Sequence, residues 1–324
     1  MQDISDLIDD DLPELSYKDW RGRMRAIGDV HGFYEDLGPA HHGLFVEDGD
    51  TLLVTFESFA GIQTLSNDGM PLGYQMVQSE GWSHLAVVSK SDTWFRAPEV
   101  YGFFDQLSDD GFFDEFDKVV FYGAGPCGYA AAAFSVSAPG ARVLALQPQA
   151  TLDPRVSEWD ERFTEQRRMS FTDRYGYAPD MLDAAQQAYV LYDPREHLDA
   201  VHSALFNRSN VKRFRMPFMG AALQSDIIDL DLLEPLLIAV ASDTLTDLSF
   251  AKMMRARRDH VPYLMKLLAK LDADGREGLA LMLCENVVPR HPVRRFRRRL
   301  RTLRHVDGDE TGNEGEAQST TYAD

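Results

Sequence analysis

Short apolar runs alternate with amphipathic stretches between about residues 40 and 225. Several runs are apolar at every position, which is typical of strands covered by helices on both faces. The predicted strands are Thr51–Phe56, His84–Ser89, Lys118–Tyr122, Arg142–Leu146, Ala188–Tyr192 and Val211–Met216. Helical periodicity between them predicts helices over Tyr101–Leu107, Gly128–Ala138, Pro179–Gln187 and Leu198–Phe206. This alternation indicates an α/β fold with a mostly parallel sheet and helices on both of its faces.

The pattern changes near residue 227, because no strand is predicted from there to about residue 288. Consecutive helices are predicted instead, over Leu230–Ala241, Leu248–Arg258, Pro262–Leu271 and Arg276–Glu285. They are followed by an arginine-rich segment with apolar residues at helical spacing, which predicts a basic amphipathic helix. The predicted organisation is an acidic leader and first elements over 1–39, an α/β core over 40–226, a helical extension over 227–289, the basic helix over 290–305 and an acidic disordered tail over 306–324. Within the first segment, residues 1–20 are expected to be loosely ordered.

The composition narrows the class of protein. The 324 residues are 44% hydrophobic, which is enough for a packed core. The chain has 33 basic and 52 acidic residues, which gives a net charge of −19. That charge argues against a protein that covers nucleic acid with its whole surface. Two cysteines cannot form a disulfide framework and suit a reducing compartment. The acidic start is the reverse of a signal peptide and no apolar stretch is long enough to span a bilayer, so we predict a soluble cytoplasmic protein.

The segment Val119–Ala133, VVFYGAGPCGYAAAA, has the pattern of a strand, a tight glycine turn and a helix of small residues. Gly123, Gly125 and Gly128 match the G-x-G-x-x-G pattern of dinucleotide-binding turns, which would make the protein a nucleotide-binding oxidoreductase. That pattern needs an acidic residue at the end of the next strand to hold the ribose, and here the strand ends in Gln147-Pro148-Gln149. The dinucleotide interpretation therefore stays an alternative.

The same segment fits a nucleophile elbow, the sharp strand-to-helix turn that carries the catalytic residue of α/β-hydrolases. It resembles an α/β-hydrolase-like family whose elbow reads Y-G-S-S-M-G-G-Y-A-A. The matching residues are Tyr122, Gly123, Gly128, Tyr129, Ala130 and Ala131. The resemblance covers about residues 50–220, including ALQPQ at 145–149 and YDP at 192–194. It implies an α/β-hydrolase-like fold with the nucleophile at position 125, the triad acid at Asp193 and a histidine after the last strand.

Three catalytic elements that the resemblance implies are absent. Gly125 has no side chain, Pro126 has no N–H to donate to an oxyanion, and no histidine occurs between His202 and His260. We therefore predict a degenerate α/β-hydrolase-fold protein that lacks serine-hydrolase activity and binds a small molecule or a protein partner.

An enzymatic alternative uses Cys127 and Asp193 in a hydrolase or acyltransferase, with His202 as a partner of Asp193. Cys127 lies in the first turn of the predicted helix, where the helix dipole favours a thiolate. The favoured interpretation of each residue is structural. Cys127 would pack helix on sheet, His202 would be a half-exposed helical residue, and Asp193 would cap a turn.

Candidate ligand-binding residues follow from the sheet, because the carboxyl ends of parallel strands meet along one edge. They are Gly123, Gly125, Gly128, Gln147, Gln149 and Arg155. No histidine or cysteine spacing suits a metal, and no cofactor is predicted. The arginines of Arg294–Arg304 could bind nucleic acid or an anionic membrane, but neutralisation by the acidic body and tail is favoured. The oligomeric state stays open.

Chains similar in this segment are sometimes labelled phosphoadenosine phosphosulfate reductases. That family uses an S-G-G-[KR]-D-S loop and a C-terminal E-C-G-L-H thiol. Neither motif is present, since Cys284 lies in MLCENV within a helical pattern. The motifs therefore do not support this activity.

Overall fold

A central sheet of eight strands organises the larger of two compact units, Met1–Met254 and Arg255–Asp324. The computed structural model describes residues 12–310, with side chains from 12 to 304. The boundary between the units falls inside the segment 227–289 that was predicted as one helical extension. The predictions for residues 1–11 and 311–324 lie outside the described residues.

The sheet has the strand order β1-β2-β4-β3-β5-β6-β7-β8. Its strands are β1 (Gly32–Leu37), β2 (His41–Val46), β3 (Thr51–Ser58), β4 (Ser83–Ser89), β5 (Lys118–Ala124), β6 (Arg142–Leu146), β7 (Gln187–Tyr192) and β8 (Val211–Arg215). The pairs β1–β2 and β2–β4 are antiparallel and every other pair is parallel. The predicted α/β fold with a mostly parallel sheet is confirmed, and β1 and β2 are strands that the sequence pattern did not predict.

Helices cover both faces of this sheet. They are α1 (Tyr17–His31), α2 (Phe59–Leu65), α3 (Tyr74–Glu80), α4 (Pro98–Asp109), α5 (Pro126–Phe134), α6 (Pro154–Ser157), α7 (Ala178–Met181), α8 (His197–Leu205), α9 (Leu223–Asp229), α10 (Leu233–Ala241) and α11 (Asp247–Met253). Side chains alternate across β4, so Leu85 and Val87 pack with α4 and α5 while Ala86 and Val88 pack with α1 and α3. The core is therefore two apolar layers, one on each face of the sheet.

Helix α1 corrects the expectation of loose order up to residue 20. Ser16 caps the helix by accepting a hydrogen bond from Asp19 N, and Trp20 is fully buried. The Trp20 indole donates to Gly69 O at 2.7 Å, which ties the helix to the sheet unit. The burial of one large aromatic side chain outweighs the acidic, polar composition around it.

Several predicted helices have different bounds, and two of these differences affect the sheet unit. The helix predicted over Pro179–Gln187 is only α7 and a single 3-10 turn at Leu182–Ala184, because Gln187 already pairs with Arg142 in the sheet. The helix predicted over Leu230–Ala241 begins at Leu233, and α9 precedes it. Helix α10 packs against β5 and β6, so this part of the predicted extension belongs to the sheet unit.

Up to residue 310, the second unit contains three helices, which follow a 3-10 turn at Met254–Arg258 and confirm the predicted C-terminal helical extension. They are α12 (Val261–Ala273), α13 (Glu277–Val287) and α14 (Arg294–Glu310). Their shared core is built from buried residues at helical spacing, among them Leu268, Cys284 and Phe296. Helix α14 is the predicted basic helix, and it continues through 306–310, where a disordered tail was expected. Over residues 12–310, every helix is too short or too polar to span a bilayer.

Candidate functional site

The turn between β5 and α5 has the geometry of an elbow. Strand β5 ends at Ala124, Gly125 takes φ +56° and ψ −124°, and Pro126 begins the helix. Glycine adopts this backbone conformation without the penalty that a Cβ imposes. Gly125 N donates to Leu146 O at 2.8 Å, which fixes the apex of the turn to the end of β6. The apex thus has neither a side chain nor, in the next residue, an N–H.

The other two glycines serve close packing. A Cβ on Gly123 would lie 2.2 Å from Cys127 O, and a Cβ on Gly128 would lie 3.1 Å from both Gly123 O and Leu146 O. Both residues are buried inside the turn and line neither of the cavities described next. Of the three candidate glycines, Gly125 alone lines a cavity beside the elbow.

Two cavities flank the elbow and share Ala124, Pro126 and Gln224 in their walls. We call the first, of about 140 Å³, the thiol cavity, because Cys127 lines it together with Glu57, Asp92 and Trp94. We call the second, of about 320 Å³, the amide cavity, because it is lined by Gln147 and Gln149 together with Arg162. Both open at the carboxyl ends of the parallel strands, where α/β sheets place their ligands.

Cys127 faces the thiol cavity as a neutral thiol. Burial raises the pKa of the Cys127 thiol, and the carboxyl groups of Glu57 and Asp92 raise it further. This corrects the expectation that the helix N-terminus favours a thiolate, because desolvation and two nearby acids outweigh the dipole of a short helix. The carboxyls that act on Cys127 are Glu57 and Asp92, and Asp193 is not among them.

Glu57 is a buried carboxyl in the wall of the thiol cavity that the sequence analysis missed. Its Oε1 accepts from Thr55 Oγ1 at 2.7 Å and its Oε2 accepts from Leu72 N at 2.9 Å. His84 Nε2 lies 2.9 Å from Thr55 Oγ1 and donates to it, since the hydroxyl proton goes to Glu57. Burial raises the pKa of Glu57 to about 7. An acid at the end of an apolar strand, TLLVTFES, is the signal that could have revealed it.

Asp193 and His202 do not form a dyad. Asp193 accepts hydrogen bonds from Arg195 N at 2.9 Å and Gly220 N at 2.6 Å, so its carboxylate ties together the loops after β7 and β8. His202 is fully buried rather than half-exposed. Its Nδ1 accepts from Ala150 N at 3.1 Å, and its Nε2 donates to Asp160 Oδ2 at 2.9 Å. Both ring nitrogens are therefore occupied, and the carboxyl partner of His202 is Asp160.

A network of buried polar groups builds the wall of the amide cavity. Arg162 bonds Asp160 Oδ2 through Nη2 and Asp199 Oδ1 through Nη1, each at 2.7 Å. Gln147 Nε2 donates to Asp199 Oδ2, also at 2.7 Å. Burial alone would raise the pKa of Asp160, but the hydrogen bonds from His202 and Arg162 lower it. The guanidinium is thus held in one orientation before any ligand arrives.

Some hydrogen-bonding capacity in this cavity is unused. Gln149 is 3% exposed and donates Nε2 to Gln147 O, while its Oε1 accepts from none of the side chains or backbone groups between residues 12 and 304. Arg162 has five N–H groups and uses three of them on Asp160 and Asp199. Gln147 is committed, because its Oε1 also accepts from Leu223 N. Arg155 is exposed, pairs with Asp153 and lines neither cavity.

Strained backbone collects at the same edge of the sheet. Trp94 and Phe95, in the loop after β4, both have φ +55°, and Gln147, directly after β6, has φ +47°. Each such residue costs about 1–3 kcal/mol and persists only where the surroundings impose it. Among the residues whose side chains the structure describes, no three His, Cys, Asp or Glu groups converge on a point that could hold a metal ion.

Comparison with known proteins gives weak likenesses only. No model of a protein family matches the chain, and no curated protein matches it. Solved structures that resemble it include a carboxyl esterase of Tuber melanosporum, with 12% identity over 63% of this chain and 81% of that chain and a TM-score of 0.42. A capsule O-acetyltransferase of Neisseria meningitidis has 12% identity over 66% and 99% of the two chains, with a TM-score of 0.41. An esterase of Pyrobaculum calidifontis has 14% identity over 72% and 95%, with a TM-score of 0.43.

Proposed function

We propose that this chain is a non-hydrolytic protein of α/β-hydrolase-like fold that binds a small neutral polar molecule in the amide cavity. The observation that carries the first half is the elbow apex, where Gly125 offers no nucleophile and Pro126 offers no oxyanion donor. The neighbouring groups do not replace these elements. The thiol of Cys127 is neutral, and both ring nitrogens of His202 already have hydrogen-bond partners. Acyl transfer needs these elements together.

The chemistry of the cavity supports a neutral ligand. Its single guanidinium faces the carboxyl groups of Asp160 and Asp199, so no excess positive charge is left to hold an anion. The two unused N–H groups of Arg162 suit an oxygen acceptor on the ligand, and Gln149 Oε1 suits a donor. A carboxamide presents both groups side by side, and vicinal hydroxyls do so as well.

Binding is tested with three probes of one shape and different charge, namely acetamide, acetate and acetamidinium, followed by saturation-transfer NMR. Acetamide is expected to give the strongest signal. Gln149→Leu is expected to abolish that signal, whereas Arg155→Ala, which alters an exposed residue outside both cavities, leaves it unchanged. A stronger signal from acetate, or an acetamide signal that survives in Gln149→Leu, would contradict the proposal.

The enzymatic alternative is tested separately, on a panel of p-nitrophenyl esters and acyl thioesters. We expect turnover at the background rate for both the wild type and Cys127→Ala. Turnover that is present in the wild type and disappears in Cys127→Ala would establish the hydrolase or acyltransferase instead. The dinucleotide alternative stays a prediction, and the position of its ribose-binding acid is held by Gln147, whose amide is bonded to Asp199 and Leu223.

A further inference from the structure

Helix α14 presents arginines to solvent while its apolar side is already covered. Phe296, Leu300 and Leu303 are buried against α12 and α13 within the second unit. The exposed side carries five arginines, which we call the arginine surface: Arg294, Arg295, Arg297, Arg298 and Arg301. A helix that lies on a membrane buries its apolar stripe in the lipid, and here that stripe is occupied by protein.

Between residues 12 and 304, the acids near α14 pair with arginines outside the arginine surface. Arg299 pairs with Asp272, and Arg304 pairs with Glu285. None of the five arginines of the surface has an ion pair with any side chain described between residues 12 and 304. Residues 255–304 carry fourteen basic residues against five acidic ones, in a chain whose net charge is −19. The positive charge is thus concentrated in one segment.

From this arrangement we propose that the arginine surface binds the phosphate backbone of a nucleic acid. Guanidinium groups pair with phosphate oxygens through two parallel hydrogen bonds, and a row of them suits a repeating phosphodiester. The seven-residue interval from Arg294 to Arg301 is about 10 Å along the helix. One strand of a duplex carries one phosphate for roughly every 3.4 Å of its axis, so about four phosphate contacts fit. The acidic remainder of the chain restricts contact to this surface.

The test uses the full chain and fluorescence anisotropy with a labelled 20-base-pair DNA duplex and a labelled single-stranded RNA. With about four contacts, affinity is expected to fall about 100-fold between 50 and 200 mM NaCl. Two matched variants of α14 test which of its arginines contact the nucleic acid. Arg297→Gln/Arg298→Gln removes two members of the arginine surface, and Arg299→Gln/Arg304→Gln removes two ion-paired arginines.

The first variant is expected to weaken binding at least 10-fold and to reduce the salt slope by about 2, because each phosphate contact contributes roughly one unit. The second keeps the wild-type salt slope. Circular dichroism confirms that both variants are folded. The proposal is overturned if the wild type does not bind at 50 mM NaCl, if both variants change the salt slope equally, or if the chain binds vesicles of phosphatidylserine and phosphatidylcholine but neither nucleic acid.

Discussion

Glu57 is a buried residue whose position disfavours the charged form of its carboxyl group. The strand that carries it is apolar, and the carboxyl at its end is enclosed with hydrogen bonds from Thr55 and Leu72. These bonds favour the carboxylate, but desolvation is the larger effect and raises the pKa of Glu57 to about 7. The group is therefore ready to change charge near neutral pH inside the wall of the thiol cavity.

The raised pKa of Glu57 predicts a pH-dependent loss of stability. The folded protein holds this proton up to about pH 7, whereas an ordinary glutamate releases it near pH 4.5, so the contribution is complete below pH 4.5 and lost as pH rises through 7. The difference amounts to about 3 kcal/mol. Glu57→Gln should therefore gain about that much stability relative to the wild type between pH 4.5 and pH 8, measured by urea unfolding.

A comparison of the wild type with two variants separates the effect of Glu57 on stability from that of the buried histidines. Burial lowers the pKa of His42 and of His84 to about 3, and these groups lower stability below pH 6.5 in wild type and variant alike. Glu115→Gln makes the same chemical change at an exposed position and should follow the wild type at every pH. A stability difference between wild type and Glu57→Gln that is constant with pH would show that Glu57 titrates normally.

At the scale of elements, the turn between β5 and α5 contains two glycines that are required for different physical reasons. Gly123 is required by space, because its Cβ would meet backbone atoms of Cys127 that cannot rotate away. Gly125 is required by its backbone conformation alone, because its Cβ would meet nothing within 4 Å. The two requirements should differ in energy.

Alanine substitutions test this difference. Gly125→Ala places a Cβ at φ +56° and should cost about 1–3 kcal/mol. Gly123→Ala forces β5 and α5 apart and should cost more than about 4 kcal/mol, at the extreme end of single substitutions. Both costs are measured by urea unfolding of the purified variants. Equal costs, or a larger cost for Gly125→Ala, would mean that the turn opens freely and is not the tight elbow described.

The elements that could be predicted from the sequence are those that carry their own signal. Five of the six parallel strands are apolar on both faces, and their short runs between turns identify them, whereas β8 is a largely exposed edge strand. Strand β1 is largely exposed, and β2 begins with His41-His42-Gly43, so neither has an apolar run or a clean alternation. The pairing of β1 with β2 and of β2 with β4 decides their conformation, and no local pattern contains that information.

The candidate site was predictable to the same extent. The elbow and the two glutamines after β6 are adjacent in sequence to strand ends, so their meeting follows from the parallel sheet. The partners Asp160, Arg162 and Asp199 could not be found in this way. His202 and Asp160 are 42 residues apart and Gln147 and Asp199 are 52 apart, so the network exists only after the loops have folded together.

At the scale of the whole molecule, the two units carry net charges of opposite sign. Residues 1–254 carry 41 acidic residues and 19 basic ones, whereas residues 255–304 are strongly basic. Self-repulsion of the acidic unit opposes its compact state, and dissolved salt screens that repulsion. Exposed ion pairs such as Arg208–Asp180 are weakened by the same salt, but each contributes little. The excess of like charge should therefore decide the net effect.

Salt is expected to stabilise the fold while it weakens binding at the arginine surface. Between about 20 and 500 mM NaCl the screening length falls from about 20 Å to about 4 Å. The melting temperature should rise by about 2–4 °C for each kcal/mol of repulsion removed. Thermal unfolding over a salt series measures this rise, and a plateau above about 300 mM identifies screening, because the exclusion of salt from the surface would keep increasing stability. A melting temperature that falls over this range would show that ion pairs outweigh self-repulsion. A single salt titration would then show two opposite effects. Stability would rise because the acidic sheet unit repels itself less, and nucleic-acid affinity would fall because the arginines of α14 are screened.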